Sequence, residues 1–297
     1  MAKRRLILVV RGGLGNQLFQ YASSRALSLR LGAELVLDAY TGFENDIFGQ
    51  KYELDNFRIA AKALDPHEAA WAKRRYSAQR SVRWRVEQLY FRCFNTYYIP
   101  SLFDCMSSGA LCADVYVMEY LQSYRYFQHI APQLREELTL VRELRPEERR
   151  LADAILTGSS ASVHVRSPHA LAADGHLVCP QYFGTELDGS YYRTAVDRVT
   201  QHSPGVRFFL FSDDPHAGDR LTAAFGSKSD AVDAGMNDAC VDLFLMSLCQ
   251  HNIIANSTFG WWAAWLNRWP DKTVYAPARW YTGPRPREFY PPDWLVL

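Results

Sequence analysis

The stretch that most constrains the fold runs His251-Asn252-Ile253-Ile254-Ala255-Asn256-Ser257-Thr258-Phe259-Gly260-Trp261-Trp262. The apolar, β-branched run from His251 to Ala255 reads as a buried strand. Ser257 and Thr258 then supply hydroxyls of the kind that cap a helix N-terminus. A strand, a hydroxyl pair and a helix start in succession bring free backbone N–H groups and the positive end of a helix dipole to one spot. Such a spot suits a phosphate.

The rest of the chain has the pattern of a parallel sheet. Leu6–Val10 reads as a strand and Gly12-Gly13-Leu14-Gly15 as a tight turn. Leu18, Phe19, Ala22, Ala26 and Leu29 share one helical face, Gly32 closes that helix, and Glu34–Asp38 is a second strand. Residues 40–66 read as irregular, Glu68–Phe94 as helical, Val115–Tyr120 as a strand, and Pro146 as the opening of a helix that runs to Gly158. Strands at Ala161–Val165, Val206–Phe211, His251–Ala255 and Thr273–Ala276 then alternate with helices near Ser190–Gln201, after Pro215, at Asp238–Gln250 and at Thr258–Asn267. Alternation of this kind means parallel strands covered on both faces. The Gly158-Ser159-Ser160 link is the expected domain boundary, giving segments 1–158 and 159–297.

Composition narrows the class. With 297 residues, the chain is long enough for two ordinary domains. A formal net charge of +1 gives no global field to recruit nucleic acid. The six cysteines form no C-x-x-C pair, so they read as reduced thiols of a cytoplasmic protein rather than as a zinc site or a disulfide framework. The apolar run after the basic N-terminus is too short for a signal sequence or a span. The basic, aromatic-interleaved stretch 73–92 reads chiefly as a solvated helix face, with peripheral docking at the inner face of a membrane as the minority reading.

In open parallel sheets ligands bind beyond the carboxyl ends of the strands. The notable polar groups gather there: Gly13 and Asn16 after strand one, His164 and Arg166 around the end of Ala161–Val165, Ser212 and Asp213 after Phe211, and Asn256, Ser257 and Thr258 after Ala255. An arginine at such an edge has either an anion or a carboxylate for a partner. Asp242, amid apolar neighbours, needs a donor and suits the paired N–H groups of guanine, or it is a helix-start acid. Trp261, Trp265 and Trp269 recur at helical spacing and read as core. Gly12–Asn16 followed by Asp38 also mimics the turn and ribose acid of a nicotinamide fold. An oxidoreductase is therefore a competing reading.

The segments Gly12-Gly13-Leu14-Gly15-Asn16-Gln17-Leu18-Phe19-Gln20-Tyr21-Ala22, Gln122-Ser123 with Tyr126-Phe127, Ser212-Asp213-Asp214-Pro215, Asp242 through Cys249 and Ile253 through Trp262 closely resemble the bacterial α-1,2-fucosyltransferases of glycosyltransferase family 11. The resemblance runs nearly end to end. It implies an α/β, GT-B-like fold with two Rossmann-like domains, their parallel sheets facing a central cleft. Residues 1–158 would form the acceptor side and 159–297 the GDP-sugar side. It further implies GDP-fucose as donor, a glycan acceptor (a lipid-linked oligosaccharide among the options), inversion at the anomeric carbon, and no metal. The absence of a D-x-D triplet agrees with the last point.

By the same resemblance Arg166 holds the β-phosphate, His164 and Asp242 the guanosine, and Ser257, Thr258 and Phe259 the diphosphate and sugar, with Asn16 at the cleft. One segment departs. The family usually reads H-x-R-R-G-D-Y where this chain reads His164-Val165-Arg166-Ser167-Pro168-His169-Ala170. A second arginine and an acid are missing, so the base is sought at His169 or Asp174. A homologue with another donor, or one that binds a GDP-sugar without turnover, is the alternative that this departure leaves open.

Overall fold

The computed structural model describes residues 5–70, 115–166, 187–213, 221, 232–235, 238–280, 283–284 and 288–297. The chain forms two compact units, Met1–Thr139 with Pro286–Pro292, and Leu140–Arg285 with Asp293–Leu297.

In the first unit β1 (Arg5–Val9), α1 (Leu14–Leu31) and β2 (Glu34–Asp38) make the expected βαβ turn of chain. Gly32 ends α1 at φ 61, and its N–H bonds back to Leu29 and Ser28 carbonyls. Such a left-handed cap costs glycine no Cβ clash. β3 (Lys62–Ala63) and β4 (Val115–Val117) complete a four-stranded sheet in the order β3-β2-β1-β4, parallel throughout. Leu6, Leu8, Val9, Leu18, Phe19 and Leu37 are essentially inaccessible. A short helix, α2 (Ala131–Glu137), follows.

The second unit begins earlier than the Gly158-Ser159-Ser160 link. α3 (Pro146–Leu156) precedes β5 (Ser160–Val165), and the segment before α3 is tied into this unit by Arg142. After β5 come α4 (Gly189–His202), β6 (Arg207–Ser212), β7 (Val232–Asp233), α5 (Ala239–Leu248), β8 (His251–Ile253), α6 (Thr258–Leu266) and β9 (Val274–Ala276). β10 (Arg279–Trp280) and β11 (Gly283–Pro284) form a small antiparallel pair, and β12 (Leu295–Val296) returns to the edge of the main sheet. The main sheet has six strands in the order β12-β9-β8-β5-β6-β7, all parallel. Read from β5 outward this is the doubly wound order of a dinucleotide-binding fold, with the reversal between β5 and β8. The fold class is α/β and GT-B-like, with a Rossmann-like parallel sheet in each unit.

The tryptophan stripe is core only in part. Trp261 and Trp262 are fully buried and Trp265 nearly so, whereas Trp269 is 37% exposed. The helix stops at Leu266, so the four-residue period no longer applies at Trp269, whose indole N–H instead donates to Leu248 O at 2.8 Å. The 73–92 stretch and the helix expected after Pro215 lie outside the described residues. Among the described residues no helix is long and apolar enough to cross a membrane.

Candidate active site

The reversal between β5 and β8 brings three of the four expected strand-end groups to one edge. Val165 pairs with Ser212, so Arg166 and Asp213 are the next residues out on neighbouring strands. They form an ion pair there, with Arg166 34% and Asp213 40% exposed. Of the two partners expected for Arg166, an anion or a carboxylate, this is the carboxylate. Half-exposed pairs of this kind contribute little to stability, so a ligand oxyanion can replace the carboxylate at small cost.

β8 sits on the other side of β5 and leads through buried Asn256 to α6. Ser257 alone is the N-cap. Its side chain accepts from Phe259 N at 3.3 Å, and Thr258 is the first helical residue. Ser257, Thr258 and Phe259 are half-exposed. No acidic residue lies in the first turn, so the positive end of the helix is uncompensated locally.

His164 lies under this turn, 5% exposed, its ring 5.4 Å from that of Phe259 and tilted by 46°. Among the described residues its buried Nδ1 has no hydrogen-bond partner. Gly260 makes room for it, since a Cβ there would stand 2.6 Å from Nδ1. Burial pushes the His164 pKa down to about 4, with Arg166 acting in the same direction and Asp213 opposing. The imidazole is therefore neutral at physiological pH and offers either a donor or an acceptor.

Asp242 sits in the first turn of α5, half-buried. Asp238 caps that helix, accepting from Cys240 N (3.1 Å) and Val241 N (3.2 Å). The cap is held from behind. Arg142 donates to Asp238 Oδ2 at 3.0 Å and to both oxygens of buried Glu148 at 2.8 Å. Glu148 also accepts from Arg145 N and from its side chain, and these donors hold its carboxyl down at about 2.

Sequence reading missed that support, and it missed three further tethers. Tyr191 OH donates to Ile254 O (2.6 Å) and lies 3.0 Å from Tyr275 O, fixing the strand ends beside the site. Tyr192 OH donates to His164 O at 3.2 Å. Asn267 donates to Asn252 Oδ1 (2.7 Å) and Cys249 O (2.8 Å), while Asn252 donates to Ser162 Oγ (2.7 Å). Asparagines within apolar runs were the available signal, because a buried amide must be partnered.

In the first unit, the glycine-rich turn is largely spent on its own architecture. Gly12 has φ 75, and Gly13 is the N-cap of α1 without a side-chain bond. Gln17, fully buried, donates to Gly12 O (2.8 Å) and Lys51 O (2.7 Å) and accepts from Glu53 N (3.0 Å). Tyr21 OH bonds Glu137 and accepts from Ala60 N at 2.9 Å. Asn16 is half-exposed and accepts from Gln122 Nε2 at 2.7 Å.

Asp38 does not fit a ribose. It is fully buried, and its Oδ1 accepts from Tyr40 N (3.0 Å) and Thr41 N (2.9 Å). The turn that follows packs against the end of β1, where a Cβ on Gly42 would meet Val10 O at 1.9 Å. The acid shapes a turn, and the oxidoreductase reading loses its second support. His169 and Asp174 lie outside the described residues. Among the described residues no group of His, Cys, Asp and Glu side chains is arranged to hold a metal.

The sequence pattern of Glycosyl transferase family 11 matches residues 5–297. An alpha-1,2-colitosyltransferase of Escherichia coli is 27% identical over 91% of this chain and 90% of its own length. The galactoside 2-alpha-L-fucosyltransferase Sec1 of Mus musculus is 28% identical over 60% of this chain and 50% of its own. The crystal structure of POFUT1 in complex with GDP-fucose superposes with a TM-score of 0.53, at 11% identity, over 100% of this chain and 98% of that one.

Proposed function

Because the chain belongs to glycosyl transferase family 11, we propose that it moves L-fucose from GDP-fucose to a hydroxyl of a glycan, O2 of a terminal galactose. The observation that carries this reading is the edge between β5 and β8, where Arg166, neutral His164 and the open first turn of α6 converge. The fucosyltransferase and colitosyltransferase names among the relatives support a deoxy sugar and a 1,2 linkage.

In this reading Arg166 leaves Asp213 for the β-phosphate, and N–H groups of the α6 first turn receive the remaining phosphate oxygens. Asp242 and His164 take the guanosine. The acceptor oxygen attacks the anomeric carbon as the bond to the β-phosphate oxygen breaks, GDP departs with the electron pair, and configuration inverts. Asp174 or His169 takes the acceptor proton. A cation and aligned N–H dipoles stabilise the leaving diphosphate in place of a metal; the missing D-x-D triplet supports that choice. The unit that begins at Leu140 serves the donor and the unit that begins at Met1 the acceptor, at the inner face of the membrane if the glycan is lipid-linked.

The test is a panel of GDP- and UDP-sugars with a terminal-galactose acceptor, in chelator. Transfer from GDP-fucose alone, indifferent to chelator, is expected. Transfer from another GDP-sugar replaces the donor assignment. GDP binding without transfer to any acceptor replaces catalysis with binding.

A further inference from the structure

The first sheet also has a reversal, between β1 and β4, and it holds a cation that the proposed reaction does not use. Arg11 follows β1 and places its guanidinium carbon 4.4 Å from the centroid of the Tyr120 ring, which follows β4. Gln20 clasps the Arg11 main chain on both sides, accepting from its N–H at 3.1 Å and donating to its carbonyl at 3.0 Å. The side chain is half-buried, and its Nε is shut off from solvent and has no hydrogen-bond partner among the described residues. Among the described residues no carboxylate pairs with it. A partly desolvated guanidinium with no counter-charge is costly, and one aromatic face offsets only a part of that. Its planar fork matches a carboxylate or a phosphate.

The neighbours hold the fork in place and add polar groups. Gly12 is wedged between them: a Cβ there would lie 3.1 Å from Asn16 Nδ2 and 3.5 Å from Tyr120 Cε1. Gln122 is buried and donates to Asn16 Oδ1 at 2.7 Å. Leu121, between Tyr120 and Gln122, is held at φ 48, a left-handed conformation that a leucine adopts only under constraint. Tyr120 stays 37% exposed. Strain, an uncompensated cation and an open aromatic therefore coincide at a place where open α/β sheets bind ligands.

We propose that Arg11, with the Asn16–Gln122 amide pair beside it, binds an oxyanion presented on a sugar substrate, either the carboxylate of an acidic acceptor sugar or the phosphate of a glycosyl diphosphate. The carrier sugar rests on the transferase reading; the anion site does not.

Calorimetry on the full chain separates the two sources. The probes are galactosyl-glucuronate, its neutral counterpart lactose, and inorganic pyrophosphate. At least one anion is expected to bind about ten-fold more weakly to Arg11→Met than to the wild type, with Arg11→Lys between them and lactose unaffected. A glucuronate effect assigns the site to the acceptor, and a pyrophosphate effect assigns it to a diphosphate. Equal binding of both anions to the wild type and Arg11→Met overturns the proposal. If Arg11→Met does not fold, the Nε–Hε resonance of Arg11 in the wild type serves instead. It moves when the anion binds, and its failure to move at saturation is contrary to the proposal. Arg11-dependent anion binding in a protein that transfers no GDP-sugar refutes the transferase reading while leaving this site standing.

Discussion

The two strand-order reversals sit at equivalent places in two similar sheets, yet they spend their polar groups differently. At the β1–β4 reversal Gln17, Gln20 and Tyr21 bond to loops of their own unit, so the motif holds structure. At the β5–β8 reversal, among the described residues, His164 keeps a buried nitrogen without a partner and Arg166 pairs with a half-exposed carboxylate. A motif's position at a ligand-binding edge does not tell which of its side chains meet the ligand. Whether their hydrogen bonds are already made does.

The comparison breaks or sharpens on mutation. Arg166→Lys keeps the charge and loses the fork, so transfer from GDP-fucose should fall about 100-fold with little change in melting temperature. A collapse in melting temperature with activity per folded molecule intact would make Arg166 structural. Gln17→Ala should do the reverse. It removes two bonds to carbonyls and one from an N–H, for a loss of about 2–4 kcal/mol in urea unfolding at unchanged GDP affinity. A weakened GDP affinity would place Gln17 with the ligand groups.

Gly260→Ala tests how tightly His164 is seated. Helix propensity alone favours alanine by about 0.8–1.0 kcal/mol. The contact with His164 Nδ1 should reverse the sign, costing about 1–3 kcal/mol and weakening GDP binding. A stabilised variant would mean that the imidazole moves freely. A further test lies in pH dependence. His164 has its folded pKa lowered to about 4, so the unfolded chain binds the extra proton first. Stability should therefore be full above about pH 6.5 and decline as pH falls toward 4. Urea midpoints across that window, with His164→Asn as the control, should show a slope that the variant loses.

Much of this was legible beforehand. The C-terminal strand–cap–helix block, Gly32, Pro146 and the alternation of strands gave the right elements, because each rests on local backbone chemistry. Asp38 sustained the competing oxidoreductase reading because burial and the Asx turn made by its Oδ1 are not visible in spacing. The unit boundary was misplaced because Arg142 joins its segment to Glu148 and Asp238, the latter a partner 96 residues away. Arg11 was passed over because an unpaired charge is defined by what is absent around it.

The central claim is that the β5–β8 edge receives the diphosphate of a GDP-sugar through Arg166. Calorimetric titration of GDP into the wild type and Arg166→Met tests it most directly. The account predicts GDP binding by the wild type and a loss of about ten-fold or more in the variant, whose Asp213 is left to repel the phosphate. Equal GDP affinity in the two proteins would contradict it.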